Sequence, residues 1–480
     1  MMQEAVIGLD LGTGGARAVA VTSEGKILSS ASHITAPPFM DASGRSEQLA
    51  QAWQACAVAA MEKCVEGFTE PVHVHAVCVD ATSGTVVFLD AENKPLYPGL
   101  MHNDSRSGEE AAYLNDFLSA HCREVGSNFG ATFSLAKILW MKRHEPKTFE
   151  KTQRICHQSD YILGELTGEY GVSDPSNSLK SGFNIVRDSW PREFSDLGIQ
   201  HLMPEVKASG TFVGTLKPSL SKKIGLNNGI QVLSGVTDST AAFLASGAHE
   251  EGDFCNTLGT TLAYKGISSE LVHDPEGVVY CHRHPGGGWL PGGASNVGGA
   301  CLRVFFPDRN LVELDRHAAL RFPSRDLSYP LVETGERFPF KNDRAQGFIP
   351  MHLPEEELHL SLLQGVALVE RWGLERFSKL GMPACSRIYA TGSGSKSDVW
   401  CQIRSNVLQL PLIRPNSTDS AFGVAVLAGS KVFYDGDLAK ATQGMTRVDR
   451  EFAPHTEFSN WASEMLEALK RECYEKGLLS

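Results

Sequence analysis

Apolar and polar positions alternate in short blocks at the start of the chain. Ala5 to Gly8 is apolar and leads to Asp10, Gly12-Thr13-Gly14-Gly15 is a turn, and Ala16 to Val21 leads away. Two such runs around a glycine turn predict a β-hairpin. Ile27 to Thr35 predicts a third strand. Gln48 to Val65 carries Leu49, Trp53, Cys56, Ala60 and Cys64 at helical spacing, which predicts a helix. Val72 to Val79 and Val86 to Leu89 read as strands, and Glu109 to Phe117, Phe133 to Met141 and Ser159 to Leu166 as helices. Gly229 to Leu233 is a strand that passes through Gly235 to Asp238 and a helix of small and apolar residues.

The second half repeats part of this pattern. Leu258-Gly259-Thr260-Thr261-Leu262-Ala263 echoes Leu11-Gly12-Thr13-Gly14-Gly15-Ala16 about half a chain length later, the sign of an internal duplication. Pro285 to Asn296 is glycine-dense and precedes a helix start at Ala300 to Phe306. Glu355 to Lys379 predicts a long amphipathic helix with Leu358, Leu362, Val366, Leu368 and Trp372 inward. Arg387 to Ala390 is a short strand that runs into Gly392-Ser393-Gly394 and a helix, Ser397 to Leu408. Ser420 to Gly429 is a small-residue helix, and Trp461 to Cys473 the last one. A chain of 480 residues exceeds one core. Two domains are expected, 1–246 and 247–480, with the last helix packing back on the first.

Charge narrows the function classes. The net charge is −12, which argues against nucleic acid and anionic membranes, since both need a basic surface. The 11 cysteines are scattered without a C-x-x-C, the usage of a cytoplasmic chain with reduced thiols. His73 and His75 share a strand face, and His282 and His284 flank Arg283. Neither pair has cysteine or carboxylate companions at zinc spacing along the chain, so packed or solvated histidines are expected. The N-terminus lacks the basic and apolar regions of a signal peptide, and no run approaches the ~20 apolar residues that span a bilayer.

The candidate chemistry lies at the turns. Successive backbone N–H groups in a glycine turn form an anion-binding concavity. Thr13 adds a hydroxyl and Arg17 a fixed positive charge, and Asp10 is placed to hold Mg2+ through water. Alone, this is equally a glycine hairpin whose Asp bonds its own backbone. Asp104 and Arg106 precede a helix and can bracket a polyol, one accepting and one donating hydrogen bonds; a capped helix start with an ion pair is the alternative. Asp238 at a strand–helix junction is either an N-cap or a general base. Gly392-Ser393-Gly394 between strand and helix offers loop amides to a nucleotide.

Taken together, these segments resemble the FGGY-type carbohydrate kinases, a branch of the actin-like ATPase superfamily. The resemblance spans nearly the whole chain. Its motifs are DLGTGGAR at 10–17, NDSRS at 103–107, GVTDSTAAF at 235–243, NTLGTT at 256–261, GERFP with a following Asp at 335–343, GSGSKSDVWCQIRSNVL at 392–408 and DSAFGVAVLAG at 419–429. It implies an α/β chain of two ribonuclease-H-like domains with an interdomain cleft that closes on ATP and a sugar. Asp238 matches the catalytic base, and Asp10 and Asp238 the metal-associated carboxylates. Gly12, Thr13, Gly14, Gly15, Arg17, Gly259 and Thr260 match the phosphate hairpins. Gly392, Ser393, Gly394 and Ser397 match the adenosine side, where the family's glycine triplet is Gly-Ser-Gly and its Asn is Ser397. Thr82, Ser83, Gly84 and Asp104 match the sugar side. Xylulokinases of the family commonly carry Gln-Met-His-Gly where this chain has Asp80-Ala81-Thr82-Ser83-Gly84-Thr85. That segment and VSDPSNSLKSGFN at 172–184 resemble the family's D-ribulose kinases. The expected reaction is phosphorylation of D-ribulose, with D-xylulose as the alternative sugar. ATP and Mg2+ are the expected cofactors, no macromolecular partner is called for, and a homodimer stays open. An actin-like ATPase that uses ATP to change conformation is the rival from another class.

Overall fold

The computed structural model describes residues 2–479. The chain divides into two compact units. The first comprises Met1–Ala245, His282–Gly287 and Ser417–Thr446; the second comprises Ser246–Cys281, Gly288–Asn416 and Arg447–Ser480. The segment that returns to the first unit is thus Ser417–Thr446, with its helix Ser420–Phe433, whereas the final helix, Ser459–Glu475, lies in the second unit.

The first unit is built on a six-stranded sheet. Its order is Phe212–Thr215, Gln231–Thr237, Val72–Ala81, Gln3–Gly12, Gly15–Val21, Ile27–Ile34. Gln3–Gly12 is antiparallel to Gly15–Val21, which is antiparallel to Ile27–Ile34. Gln3–Gly12, Val72–Ala81 and Gln231–Thr237 run parallel, and Phe212–Thr215 closes the edge antiparallel. Parallel strands in the middle of a sheet are covered on both faces, and Val74 and Ala76 to Ala81 are all buried. The helix Ala50–Glu66 shares one core with the hairpin strands, with Trp53, Cys56, Ala57, Ala60 and Met61 packed among Ile7, Leu9, Ala18 and Ala20. Trp53 Nε1 donates to Gln48 Oε1 at 2.6 Å, which satisfies the buried indole.

The helix Ser420–Phe433 also packs on this unit, and Gly423 shows how closely. A Cβ there would lie 1.8 Å from the backbone oxygen of Ala241, on the helix Asp238–Ser246. Only glycine lets the two helix backbones approach so far.

The second sheet has seven strands, and six of them repeat the order and sense of the first. Trp289–Ser295, Leu262–Gly266 and Asp253–Leu258 are successively antiparallel; Asp253–Leu258, Arg387–Thr391 and Leu412–Pro415 are parallel; Val448–Phe452 closes the edge antiparallel. The duplication hinted at by two short hairpins is therefore a duplication of topology, and both units have the ribonuclease-H-like, actin-like ATPase order. Trp289–Ser295 was hidden in the sequence because Pro291, Gly292 and Gly293 depress strand propensity. The long helix Glu355–Lys379 departs from the amphipathic expectation. Every residue from Leu358 to Glu370 is buried, while Trp372 is half-buried against Phe340. Its buried Glu370 is paired inside: it takes two hydrogen bonds of 2.7 Å from Arg404 and one of 2.8 Å from Asn256 Nδ2.

Candidate active site

Three adjacent parallel strands of the first unit end in carboxylates. Asp10 pairs with Asp80 across Gln3–Gly12 and Val72–Ala81, and Asp80 pairs with Val236 on the third strand. Asp238 follows two residues later, at the first turn of Asp238–Ser246. Its Oδ1 accepts from the adjacent Ser239 amide at 2.6 Å, whereas an N-cap side chain accepts from an amide two or three residues on. The strand end is held from outside: the Thr237 amide donates to Ser176 Oγ at 2.9 Å, and Ser176 Oγ donates to Asp174 Oδ1 at 2.5 Å. Asp419, which the sequence reading gave no role, joins the group from the N-cap of Ser420–Phe433. Among the described residues it is ion-paired with Arg17, Nε to Oδ2 at 2.7 Å.

Four carboxylates around one guanidinium leave a negative field. Burial pushes the Asp10 carboxyl above its ordinary value; Asp80 opposes this, and Asp238 and Asp419 add to it. Asp80 is wholly buried. Burial, and then the negative charge of Asp10, hold its carboxyl well above the usual range. Neither Asp80 oxygen has a hydrogen-bond donor among the described residues. The group it faces is another acceptor, so a bond between Asp80 and Asp10 requires a proton on one of them. Orphaned buried carboxylate oxygens beside Asp10 fit a divalent cation, which would supply the missing counter-charge. Arg17, expected to help neutralise the phosphates, pairs with Asp419, and its side chain remains 48% exposed.

The first glycine hairpin turns tightly. Gly12 pairs with Gly15, leaving Thr13 and Gly14 at the tip, and Gly14 is exposed. The turn is fixed from behind by Thr35 N to Gly14 O at 3.0 Å and Gln48 Nε2 to Thr13 O at 3.2 Å.

On the expected sugar side, Thr82, Ser83 and Gly84 form the loop between Val72–Ala81 and Val86–Leu89. Two lysines that the sequence reading missed hold it. Lys137, fully buried, donates to Gly84 O at 2.9 Å and Met101 O at 2.5 Å; burial pulls its ammonium down to about 7. Lys180 reaches Ser83 O at 3.4 Å; burial lowers its ammonium, and the field of Asp238 opposes that. Burial, and then Lys137, lower His102 nearby. Lys180 stands in the VSDPSNSLKSGFN motif, so its position was visible and its direction was not.

Asp104 corrects an expectation. It is 1% exposed. Oδ1 accepts from Arg106 N at 3.3 Å and Nε at 3.1 Å; Oδ2 accepts from Arg106 Nη2 and from the Ser46 amide, both at 2.8 Å. A carboxylate offers about four acceptor sites, and all are taken. Arg106 is likewise spent, on Asp104, on Glu47 at 2.8 Å and on the Trp140 ring, 4.3 Å from its centroid. This pair is a structural cross-link in the conformation described.

In the second unit the hairpin is close to the first but not a copy. Leu258 pairs with Leu262, leaving Gly259, Thr260 and Thr261 at the turn. Thr260 Oγ1 accepts from Arg303 Nη2 at 2.9 Å, and Gly259 O accepts from Gly299 N at 2.8 Å. Arg303 was not foreseen, and it places a positive charge beside the phosphate-type turn. The Gly392-Ser393-Gly394 loop follows the strand Arg387–Thr391. Gly392 has φ +84°, and a Cβ there would lie 2.5 Å from Leu258 O, so the loop crosses the hairpin strand at glycine distance. Ser393 is exposed and Gly394 buried. Ser397 is a correction: its Oγ caps the helix Asp398–Leu408 through Trp400 N at 3.0 Å and donates to Asp315 Oδ2 at 2.6 Å. That hydroxyl is committed to the fold rather than to a ligand.

Comparison with known proteins adds an independent line. The N-terminal domain of the FGGY family of carbohydrate kinases matches residues 5–245, and the C-terminal domain matches 256–432. A xylulose kinase of Bacillus subtilis is 25% identical over 474 residues, covering 94% of this chain and 92% of that protein. One from Escherichia coli is 25% identical and covers 88% and 89%. Among solved structures, a xylulose kinase from Rhodospirillum rubrum superposes with a TM-score of 0.87 at 25% identity over 98% of both chains. Plasmodium falciparum glycerol kinase with ADP gives 0.84 at 17% identity, also over 98% of both, a likeness of fold.

Proposed function

This chain belongs to the FGGY family of carbohydrate kinases and is an ATP-dependent sugar kinase, and on that premise we propose that it phosphorylates a ketopentose, with D-xylulose as the sugar and Asp238 as the general base. The sugar assignment rests on the xylulose kinases among its relatives. The single observation that carries the mechanism is the convergence of Asp10, Asp80 and Asp238 at the ends of three neighbouring parallel strands, next to the Thr13–Gly14 turn. D-ribulose is the second reading, favoured by the Asp80-to-Thr85 segment that stands where xylulokinases of the family carry Gln-Met-His-Gly.

In the proposed reaction a terminal sugar hydroxyl attacks the γ-phosphorus of ATP. The new P–O bond forms as the bond to the β-phosphate oxygen breaks, ADP leaves, and the hydroxyl proton passes to Asp238. Phosphoryl transfer depends mainly on alignment and charge stabilisation. The Ser176 and Asp174 contacts hold the strand end from which Asp238 projects. Lys180 lies within the field of Asp238 and would stabilise its ionised form. The amides at Thr13 and Gly14 would cradle phosphate oxygens. Asp10 and Asp238 would hold Mg2+, which when bound with ATP neutralises phosphate charge. The thiol-rich, disulfide-free composition supports a cytoplasmic setting: the 11 cysteines are free, and no helix among the described residues is long and apolar enough to cross a membrane.

The test is ADP release from ATP and Mg2+ with D-xylulose, D-ribulose, other ketoses, polyols and no sugar. A kcat/KM highest for D-xylulose supports the proposal, and one highest for D-ribulose supports the second reading. ADP release that ignores every sugar would mark an ATPase of the conformational class.

A further inference from the structure

A cluster that the phosphoryl-transfer reading leaves unused lies at the opposite end of the two central strands. Along the chain His73 and His75 have no carboxylate at ligand spacing; the neighbouring strand supplies one. Glu4 on Gln3–Gly12 stands opposite His73 on Val72–Ala81. One coordinating atom from each of Glu4, His73 and His75 lies within 4.8 Å of the other two. The two imidazoles meet edge-on with centroids 4.5 Å apart, and His75 Nε2 touches a Glu4 carboxylate oxygen.

The backbone is adapted at this place. Ala5 faces Val74 and Val6 faces Ala76, so His75 is the extra residue of a β-bulge. A bulge re-aims a side chain, and here the re-aimed side chain is the one that meets Glu4. Phe433 stands edge-on to the His75 ring at 5.9 Å and gives it an apolar wall. Glu4 is exposed and both histidines are half-buried, so an ion can enter from solvent.

We propose that Glu4, His73 and His75 form a binding site for a divalent transition metal of the Zn2+ class. Two imidazoles and a carboxylate suit Zn2+ and leave a fourth position for water. Mg2+ takes oxygen ligands in octahedral array and is selected against. At about 3.3 Å per residue the site lies roughly 20 Å from Asp10 along the same strand, so it is separate from the phosphate chemistry. A bound ion would cross-link the starts of the two central strands and stabilise the folded chain by mass action.

The experiment titrates Co2+, a spectroscopic stand-in for Zn2+, into the full chain without nucleotide. Wild type is compared with His73→Ala, His75→Ala, the milder Glu4→Gln, and Asp10→Asn as a control for the acidic cluster. Circular dichroism checks that each variant folds. The expected result is an intense visible band saturating at one Co2+ per chain and bleached by Zn2+. Asp10→Asn keeps the band, the histidine variants lose it, and Glu4→Gln weakens binding by about tenfold or more. Zn2+ raises the melting temperature of wild type but not of His75→Ala, and kinase activity is the same in both without Zn2+. A weak octahedral spectrum in wild type, or an intense band that survives both histidine substitutions, overturns the proposal.

Discussion

Asp80→Asn is expected to make the protein more stable, and the size of the gain should depend on pH. Asp80 is completely buried, both its oxygens lack a donor, and it faces Asp10 across the strand pair. Its folded-state carboxyl is held well above the ordinary value, first by burial and then by Asp10. The unfolded chain is therefore the stronger acid. Well below about pH 3.9 both states are protonated and no charge is buried. As pH rises the unfolded state releases its proton first, so the wild type loses stability until the pH passes the folded-state value. Asn removes this cost and supplies an N–H that can donate to Asp10. A buried, unsatisfied, charge-bearing group costs on the order of 2–3 kcal/mol, and at about 1–2 °C per kcal/mol for a chain of this size the melting temperature should rise by roughly 2–6 °C. The assay is thermal and urea unfolding at pH 4.5, 6 and 7.5 in buffer free of divalent cations. The gap between variant and wild type should widen from pH 4.5 to 7.5. A variant less stable than wild type at pH 7.5, or a gap unchanged across this range, would refute the reasoning, because either result means the Asp80 carboxylate has compensating partners.

Three further substitutions test other parts of the structure. Asp238→Asn should fold as wild type and still bind ATP and sugar while losing roughly 10²–10⁴ in kcat; near-normal kcat would leave Asp238 as only a first-turn carboxylate of its helix. Asp104→Ala removes four accepted hydrogen bonds and leaves Arg106, whose side chain is 11% exposed, with Glu47 as its remaining carboxylate partner, so it should destabilise by about 2–4 kcal/mol and disturb both substrates' KM; a change confined to the sugar KM would restore a direct sugar contact. Glu370→Ala leaves Arg404 buried without its partner and should cost about 3–5 kcal/mol in denaturant unfolding, whereas replacing both residues with Met should recover most of that loss.

Local features were legible before the fold was seen. The two hairpins, the helix after the third strand, the strand–glycine–helix at 387–408 and the small-residue helix from Ser420 each announce themselves by periodicity and turn residues, signals that depend only on neighbours in sequence. The ordered motifs then pointed to the carbohydrate kinase family and to Asp10 and Asp238. What the chain did not disclose were relations across the sheet. Asp80 stands beside Asp10 only because two strands far apart in sequence pair in parallel register. Asp419 reaches Arg17 from the far end of the chain. Asp104 and Ser397 looked like ligand groups because their residue types bind ligands; packing gave their lone pairs and hydroxyl to Arg106, Ser46, Trp400 and Asp315 instead. The two lysines at the 82–84 loop and the Glu4–His73–His75 cluster have the same origin. Sequence period and turn chemistry determine which elements form and which faces they bury. Which polar groups meet, and which are left without a partner, is decided only when the strand order and register bring distant residues together.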